Sequence, residues 1–73
     1  MIKVEEITKI VRRTNGEIAS VKISAFADTK SEVTANAHYE GLPEGASIMF
    51  GSSIMTAEGD VGFMKSNGSW NWL

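Results

Sequence analysis

The 73-residue chain contains no cysteine, one histidine and one proline, and these absences narrow what it can be. Without cysteine it can form neither a disulfide nor a thiolate zinc site. A single imidazole, His38, offers too few ligands for a structural metal site of the usual kind. We therefore expect a protein without a metal and without a cofactor.

Positive charge is also scarce. Seven Lys and Arg residues against nine Asp and Glu residues give a formal net charge of −2. Phosphate contacts need an excess of basic side chains, so the composition argues against a nucleic-acid binder. No apolar run approaches the length of about 18 residues that suggests a membrane-spanning helix, and the N-terminus lacks the hydrophobic core of a signal peptide. These features predict a chain that is cytosolic at synthesis and has no membrane partner.

The length predicts a single small domain over residues 1–73. A domain of this size without disulfides or metal buries little apolar surface, and oligomerisation or docking onto a larger assembly is the common remedy. We divide it into an N-terminal hairpin over 1–27, a connecting arm over 28–45 and a C-terminal meander over 46–73.

The meander carries the clearest pattern in the sequence. Apolar residues alternate with small or polar ones between two Gly turns, which predicts antiparallel strands near 51–57, 60–66 and 69–73. If both turns are two-residue loops, Phe63 lies opposite Ile54 and Trp72, and the three form one apolar row. The other face then carries Met55, Met64 and Leu73, and is less polar than a solvated face should be.

The first 13 residues fit two structures. Their apolar residues have helical spacing, with acidic residues early and basic residues late. Their high β-branched content and the turn signal Asn15-Gly16 favour a strand instead. Residues 18–27 alternate as a strand that needs a partner, so we favour the hairpin.

The register of that hairpin depends on its loop. A two-residue loop places Ile10 opposite Val21, but it also places Lys9 opposite Lys22, and like charges are unfavourable there. A three-residue loop with a bulge places Ile7 opposite Ile23. The predicted fold class is all-β: an N-terminal β-hairpin plus a C-terminal three-stranded antiparallel meander, in a small sandwich or open barrel.

The arm over 28–45 has no clear periodicity. The segment 41–45, Gly-Leu-Pro-Glu-Gly, predicts a turn, because Pro fixes φ and Gly tolerates positive φ. An irregular connection of this length is unusual in so small a domain, and such loops are commonly functional or contact arms. We expect this arm to reach a neighbouring subunit.

The sequence offers no catalytic constellation. No Ser or Cys nucleophile is arranged with His38 in a recognisable pattern, and the acidic residues match no calcium loop. Trp70 and Trp72 could form a sugar-stacking platform or an interface hot spot, although Trp72 fits the core better. We therefore predict no enzymatic activity and no catalytic, metal or cofactor residue.

A further pattern is carried by five segments, 26–33, 41–45, 51–53, 56–61 and 65–70. Its most recognisable part is the ending, Asp-Val-x-Phe followed by Asn-Gly-Ser-Trp at 67–70. Taken together, these segments resemble small proteins encoded by tailed bacteriophages and prophages of Gram-positive bacteria, and the similarity runs over about residues 17–73. The resemblance implies a virion or virion-assembly component without enzymatic activity.

The expected function follows from this resemblance and from the predicted apolar faces. We expect a capsid-decorating, head-fibre or tail-associated subunit that contacts copies of itself or a phage capsid or tail protein. It would reside in the virion, or in the host cytoplasm before assembly. The residues expected at the interface are Met55, Met64, Trp70, Leu73 and Tyr39. Two alternatives stay open: an inhibitor of one host protein, and a small glycan-binding module using Trp70 and Tyr39.

Overall fold

A computed structural model, which describes residues 1–34 and 36–73, places seven strands in one mixed sheet. The strands are β1 (Ile2–Arg12), β2 (Ile18–Ala27), β3 (Tyr39–Glu40), β4 (Ser47–Ile48), β5 (Ser53–Thr56), β6 (Val61–Met64) and β7 (Trp70–Trp72). They lie in the spatial order β3-β1-β2-β5-β6-β7, with β4 also paired to β2. The predicted all-β class is confirmed, and the sheet is open rather than closed into a barrel. The described residues contain no helix that could cross a bilayer.

Within the first 13 residues, Ile2–Arg12 form a strand, as the hairpin interpretation predicts. β1 pairs antiparallel with β2, and the ladder shifts register at three places along its length. Because of the shift between Ile7 and Lys9, both anticipated pairings occur: Ile10 lies opposite Val21, and Ile7 lies opposite Ile23. Bulges of this kind bend and twist a strand while keeping its apolar side chains on one face.

All three hairpin loops contain three residues and end in a glycine. The backbone bonds that close them run from Arg13 N–H to Glu17 C=O, from Thr56 N–H to Asp60 C=O and from Lys65 N–H to Ser69 C=O. The glycines that end the three loops, Gly16, Gly59 and Gly68, have φ of 89°, 94° and 85°. This is the type I turn with a left-handed third residue, for which glycine is preferred.

The predicted register of the meander is therefore wrong by one residue. Ser53 lies opposite Phe63, and Phe63 lies opposite Asn71, whereas Gly62 lies between Ile54 and Trp72. The prediction assumed two-residue loops. Because successive side chains of a strand point to opposite faces, one extra residue in each loop moves Phe63 to the other face of the sheet.

The two hairpins are joined by parallel pairing. β5 runs alongside the second half of β2, with Ala25 opposite Ile54, and β4 runs alongside its first half. Between β4 and β5 the chain turns away from β2, and the side chain of Ser52 fills the gap. Its Oγ accepts the N–H of Ile23 at 3.0 Å and donates to Met49 C=O at 2.8 Å.

One face of the sheet is covered by the arm. The core on this face comprises Ile2, Val21, Ile23, Ala25, Ala27, Tyr39 and Ile54. The apolar residues Val33, Ala37, Leu42 and Ala46 of the arm and of the residue after it pack against this core. The arm therefore uses these apolar side chains within its own chain, and its contact with a neighbouring subunit stays a prediction.

The first residues of the arm are held at two places on the sheet. Lys30 Nζ lies 5.1 Å from the centre of the Trp72 ring, within the range of a cation–π contact. The Met1 amine is paired with Asp28 at 2.8 Å and with Glu32. The pKa of Glu32 is lowered first by its bond to this amine and then by the N–H of Thr29.

Candidate interaction surface

The face opposite the arm is apolar at its centre and open to solvent. Phe26, Met55 and Val61 lie side by side in register across β2, β5 and β6. Leu73 extends this row, because its N–H donates to Val61 C=O at 2.9 Å. Phe63 projects from the same face, in the next row of the sheet. We call these five residues the open face.

The open face exposes more apolar surface than single scattered residues would. The exposed fraction is 53% for Met55, 43% for Phe63 and 80% for Leu73. Phe26 and Val61 are half-buried between them. Contiguous exposed apolar surface on a small protein typically marks a site of protein–protein contact.

The five predicted interface residues lie on both faces of the sheet. Met55 and Leu73 are exposed on the open face, whereas Met64 is only 8% exposed on the face beneath the arm. Tyr39 is also buried, and Trp70 is half-buried beside it. The expectation that Met64 shares a surface with Met55 is wrong, because each three-residue loop shifts the register by one.

A groove of about 560 Å³ lies between the arm and β7 on the covered face. Its apolar lining includes Val33, Ala37, Leu42, Ile48, Trp70 and Trp72. No charged side chain is among the described residues that line it. The groove can accept an apolar or stacking group, but its lining supplies no charged group for acid–base chemistry.

The groove is bounded by a hydrogen bond between the two edges of the sheet. Trp70 Nε1 of β7 donates to Tyr39 Oη of β3 at 3.0 Å. Burial raises the pKa of the Tyr39 phenol, and the bond from Trp70 acts in the opposite direction to a smaller extent. The phenol therefore stays neutral and serves as an acceptor.

The ionisable side chains are dispersed. Among the described residues there is no cluster of three or more His, Asp and Glu that could hold a metal ion. His38 is exposed in the arm. Asp60 belongs to a turn network, in which its N–H donates to the buried Thr56 Oγ1 at 3.1 Å. The acidic side chains that do meet, Asp28 and Glu32, are paired with the Met1 amine.

Comparison with protein-family models, with curated proteins and with solved structures finds no match to this chain. The geometry of its own residues is therefore what supports a function.

Three residues of the open face were not expected there. The sequence interpretation placed Phe63 in the core row and assigned no surface role to Phe26 or Val61. A signal for the correct placement is present, since each hairpin glycine is preceded by two residues suited to a type I turn. Reading the loops as three residues long would have placed Phe63 beside Met55.

Proposed function

We propose that this chain is a non-enzymatic structural or assembly protein of a tailed bacteriophage. It acts through protein–protein contacts as a capsid-decorating, head-fibre or tail-associated subunit. The observation that carries the proposal is the open face, an exposed apolar row on a domain that has already buried the other face of its sheet. The resemblance of residues 17–73 to small phage proteins supplies the biological setting.

The open face is suited to burial against another protein. Its members are aromatic, aliphatic and methionine side chains, types that pack adaptably against a partner. Each square ångström of apolar surface removed from water contributes about 25 cal/mol, so covering even part of this row favours association. The partner is a capsid or tail protein, a further copy of the chain, or both.

The location follows from the role. A subunit of this kind would be present in purified particles, and in the host cytoplasm before assembly. No step of the proposed function requires a cofactor, a metal or a nucleic acid.

The test compares lysine substitutions on the two faces. Met55→Lys places a charge on the open face, so we expect a folded protein that no longer enters particles. Met64→Lys places the same charge in the core, so we expect it to unfold. Ser66→Lys, in an exposed loop, is the matched control and should fold and assemble normally. Circular dichroism reports folding, and mass spectrometry of purified particles reports incorporation.

Absence of the wild-type chain from purified particles would overturn the structural role and favour the host-directed inhibitor. Normal incorporation of the Met55→Lys variant would show that the open face is not the contact surface.

The groove supports a second candidate, a small glycan-binding module. Trp70 and Trp72 flank it, and the hydroxyl-bearing residues Thr34, Ser47 and Ser69 contribute to its lining. Apolar faces of sugars stack on indole rings while their hydroxyls bond to such groups. Addition of cell-wall sugars should then change tryptophan fluorescence, and an unchanged spectrum at saturating sugar would reject this candidate.

A further inference from the structure

We propose that the outer edge of β1 pairs antiparallel with the same edge of a second copy. The two-fold axis lies between Thr8 and Lys9, and the two sheets become one continuous sheet. The edge is a different surface from the open face, so this inference goes beyond the proposed function.

The outer edge of β1 has little cover. β3 pairs with β1 only at Ile2 and Lys3. From Glu5 to Arg12 no described strand lies on that side of β1. An edge strand with unpaired backbone N–H and C=O groups is a template for another strand.

Two exposed apolar residues of this edge, Ile7 and Ile10, share a face where they would meet a copy. Ile7 and Ile10 are paired with Ile23 and Val21, which both belong to the core on the covered face. Residues three positions apart face opposite sides of a regular strand, and the bulge between Ile7 and Lys9 brings Ile7 and Ile10 to the same side. Ile10 nevertheless remains 45% exposed, because the hairpin extends beyond the arm that covers the core.

From Glu5 onward, where β3 no longer covers β1, the charges are divided by sign along the chain. Glu5 and Glu6 precede the centre, and Lys9, Arg12 and Arg13 follow it. The ion pairs found among the described residues are those of the Met1 amine, so none of these five charges has an ion-pair partner there. Charges on an edge strand usually prevent self-pairing by bringing like charges together. Here an antiparallel copy brings opposite charges together instead.

The proposed axis pairs opposite charges and also pairs apolar side chains. It places Glu5 opposite Arg12 of the second copy and Ile7 opposite Ile10 of the second copy, and each contact occurs twice by symmetry. Glu6 then lies diagonal to Lys9 of the second copy, within reach of a long side chain. Moving the axis onto Lys9 would place two lysines face to face, which is unfavourable.

The experiment is a charge swap followed by light scattering over a range of concentrations. The wild type should dimerise. A basic-edge variant, Glu5→Lys/Glu6→Lys, and an acidic-edge variant, Lys9→Glu/Arg12→Glu, should each show a dimer Kd raised at least about tenfold, since every attractive pair becomes repulsive. An equimolar mixture of the two variants should restore a dimer, because the edges are complementary again.

Glu44→Lys/Glu58→Lys is the matched control for the basic-edge variant, with the same change of net charge in loops outside β1, and it should dimerise like the wild type. Hydrogen exchange of the wild type gives a measurement that needs no variant: the amides of residues 5–12 should become more protected as concentration rises. A wild type that stays monomeric, variants that dimerise normally, a mixture that stays monomeric or concentration-independent exchange would each overturn the inference. The open face is unaltered in every variant, so loss of dimerisation and failure to enter particles are separate results.

Discussion

Trp70 and Tyr39 are joined by an indole-to-phenol hydrogen bond of 3.0 Å between the two strands that end the sheet. The two residues are 31 positions apart in the chain, and the strands that carry them share no backbone ladder. The sheet is therefore curved enough for its edges to meet through side chains. The arm and the core residues fill the space that this curvature encloses.

The Tyr39–Trp70 bond should contribute measurably to stability. We expect Tyr39→Phe and Trp70→Phe each to lower the free energy of unfolding, the former by about 1 kcal/mol, which is typical of a lost side-chain hydrogen bond. Urea unfolding of both single variants and the double variant forms a cycle that isolates the bond. Strict additivity of the two losses would mean that the bond does not couple the edges.

Tyr39 should also titrate at unusually high pH. Its pKa is raised above the ordinary value of about 10 because the phenol is buried. The unfolded chain therefore loses this proton first, at a pH of about 10. The contribution to stability is present below that pH and is lost as the pH rises toward the folded-state pKa.

The tyrosinate absorbance provides a direct measurement, because the chain has a single tyrosine. The midpoint in the folded protein should exceed that of the urea-unfolded protein, and Tyr39→Phe should remove the signal. A folded midpoint at or below the unfolded one would contradict the burial of the phenol.

The sequence predicted the strands of the hairpin and of the meander, but not the short strands β3 and β4 and not the faces of the meander. Alternation identified β2, β5 and β6, and the Gly turns were located at the correct places. The number of residues in each loop decided which face Phe63 occupies, and a Gly turn alone does not specify that number. An error of one residue in the loop length was therefore enough for the prediction to place Phe63 in the core and Met64 on the surface.

The parallel pairing of β2 with β5 was beyond local reasoning altogether. It joins Ser24 to Ser53 and Ala27 to Thr56, residues nearly 30 positions apart. Nothing in either strand specifies which other strand lies beside it, because both have apolar faces that would suit several partners. The hydrogen bonds of the buried Ser52 depend on this pairing, so the sequence could not predict them either. It also could not predict the proposed self-complementary edge of β1.

Ser52 should be a critical polar residue of the core. Its side chain is fully buried and bonds to Ile23 N–H and Met49 C=O. Ser52→Ala leaves both backbone groups without this partner, so we expect a loss of about 2–3 kcal/mol in the free energy of unfolding. Ser47→Ala, at an exposed position of β4, should change it by less than about 0.5 kcal/mol. Equal effects in urea unfolding would contradict a bridging role.

Gly62 is required because the indole of Trp72 lies against it. A Cβ at this position would lie 3.0 Å from Trp72 Cε3 and 3.2 Å from Ile54 Cγ2. Ile54 is fully buried and cannot move away freely. In an unstrained strand position, alanine would stabilise by about 0.5–1 kcal/mol over glycine. Here we expect Gly62→Ala to destabilise by about 1–3 kcal/mol, as overpacking of a core does.

The Trp72→Leu background separates this overpacking from a backbone effect. Leucine is smaller than the indole, so it leaves room for the added methyl group, and the loss caused by Gly62→Ala should shrink or change sign there. Urea unfolding of the four proteins gives the comparison. If Gly62→Ala lowers the free energy of unfolding equally in both backgrounds, contact with Trp72 is not the reason for glycine at this position. The backbone conformation of β6 would then be the reason. A smaller loss in the Trp72→Leu background would establish that glycine is needed at position 62 because the Trp72 side chain of β7 occupies the space of a Cβ there.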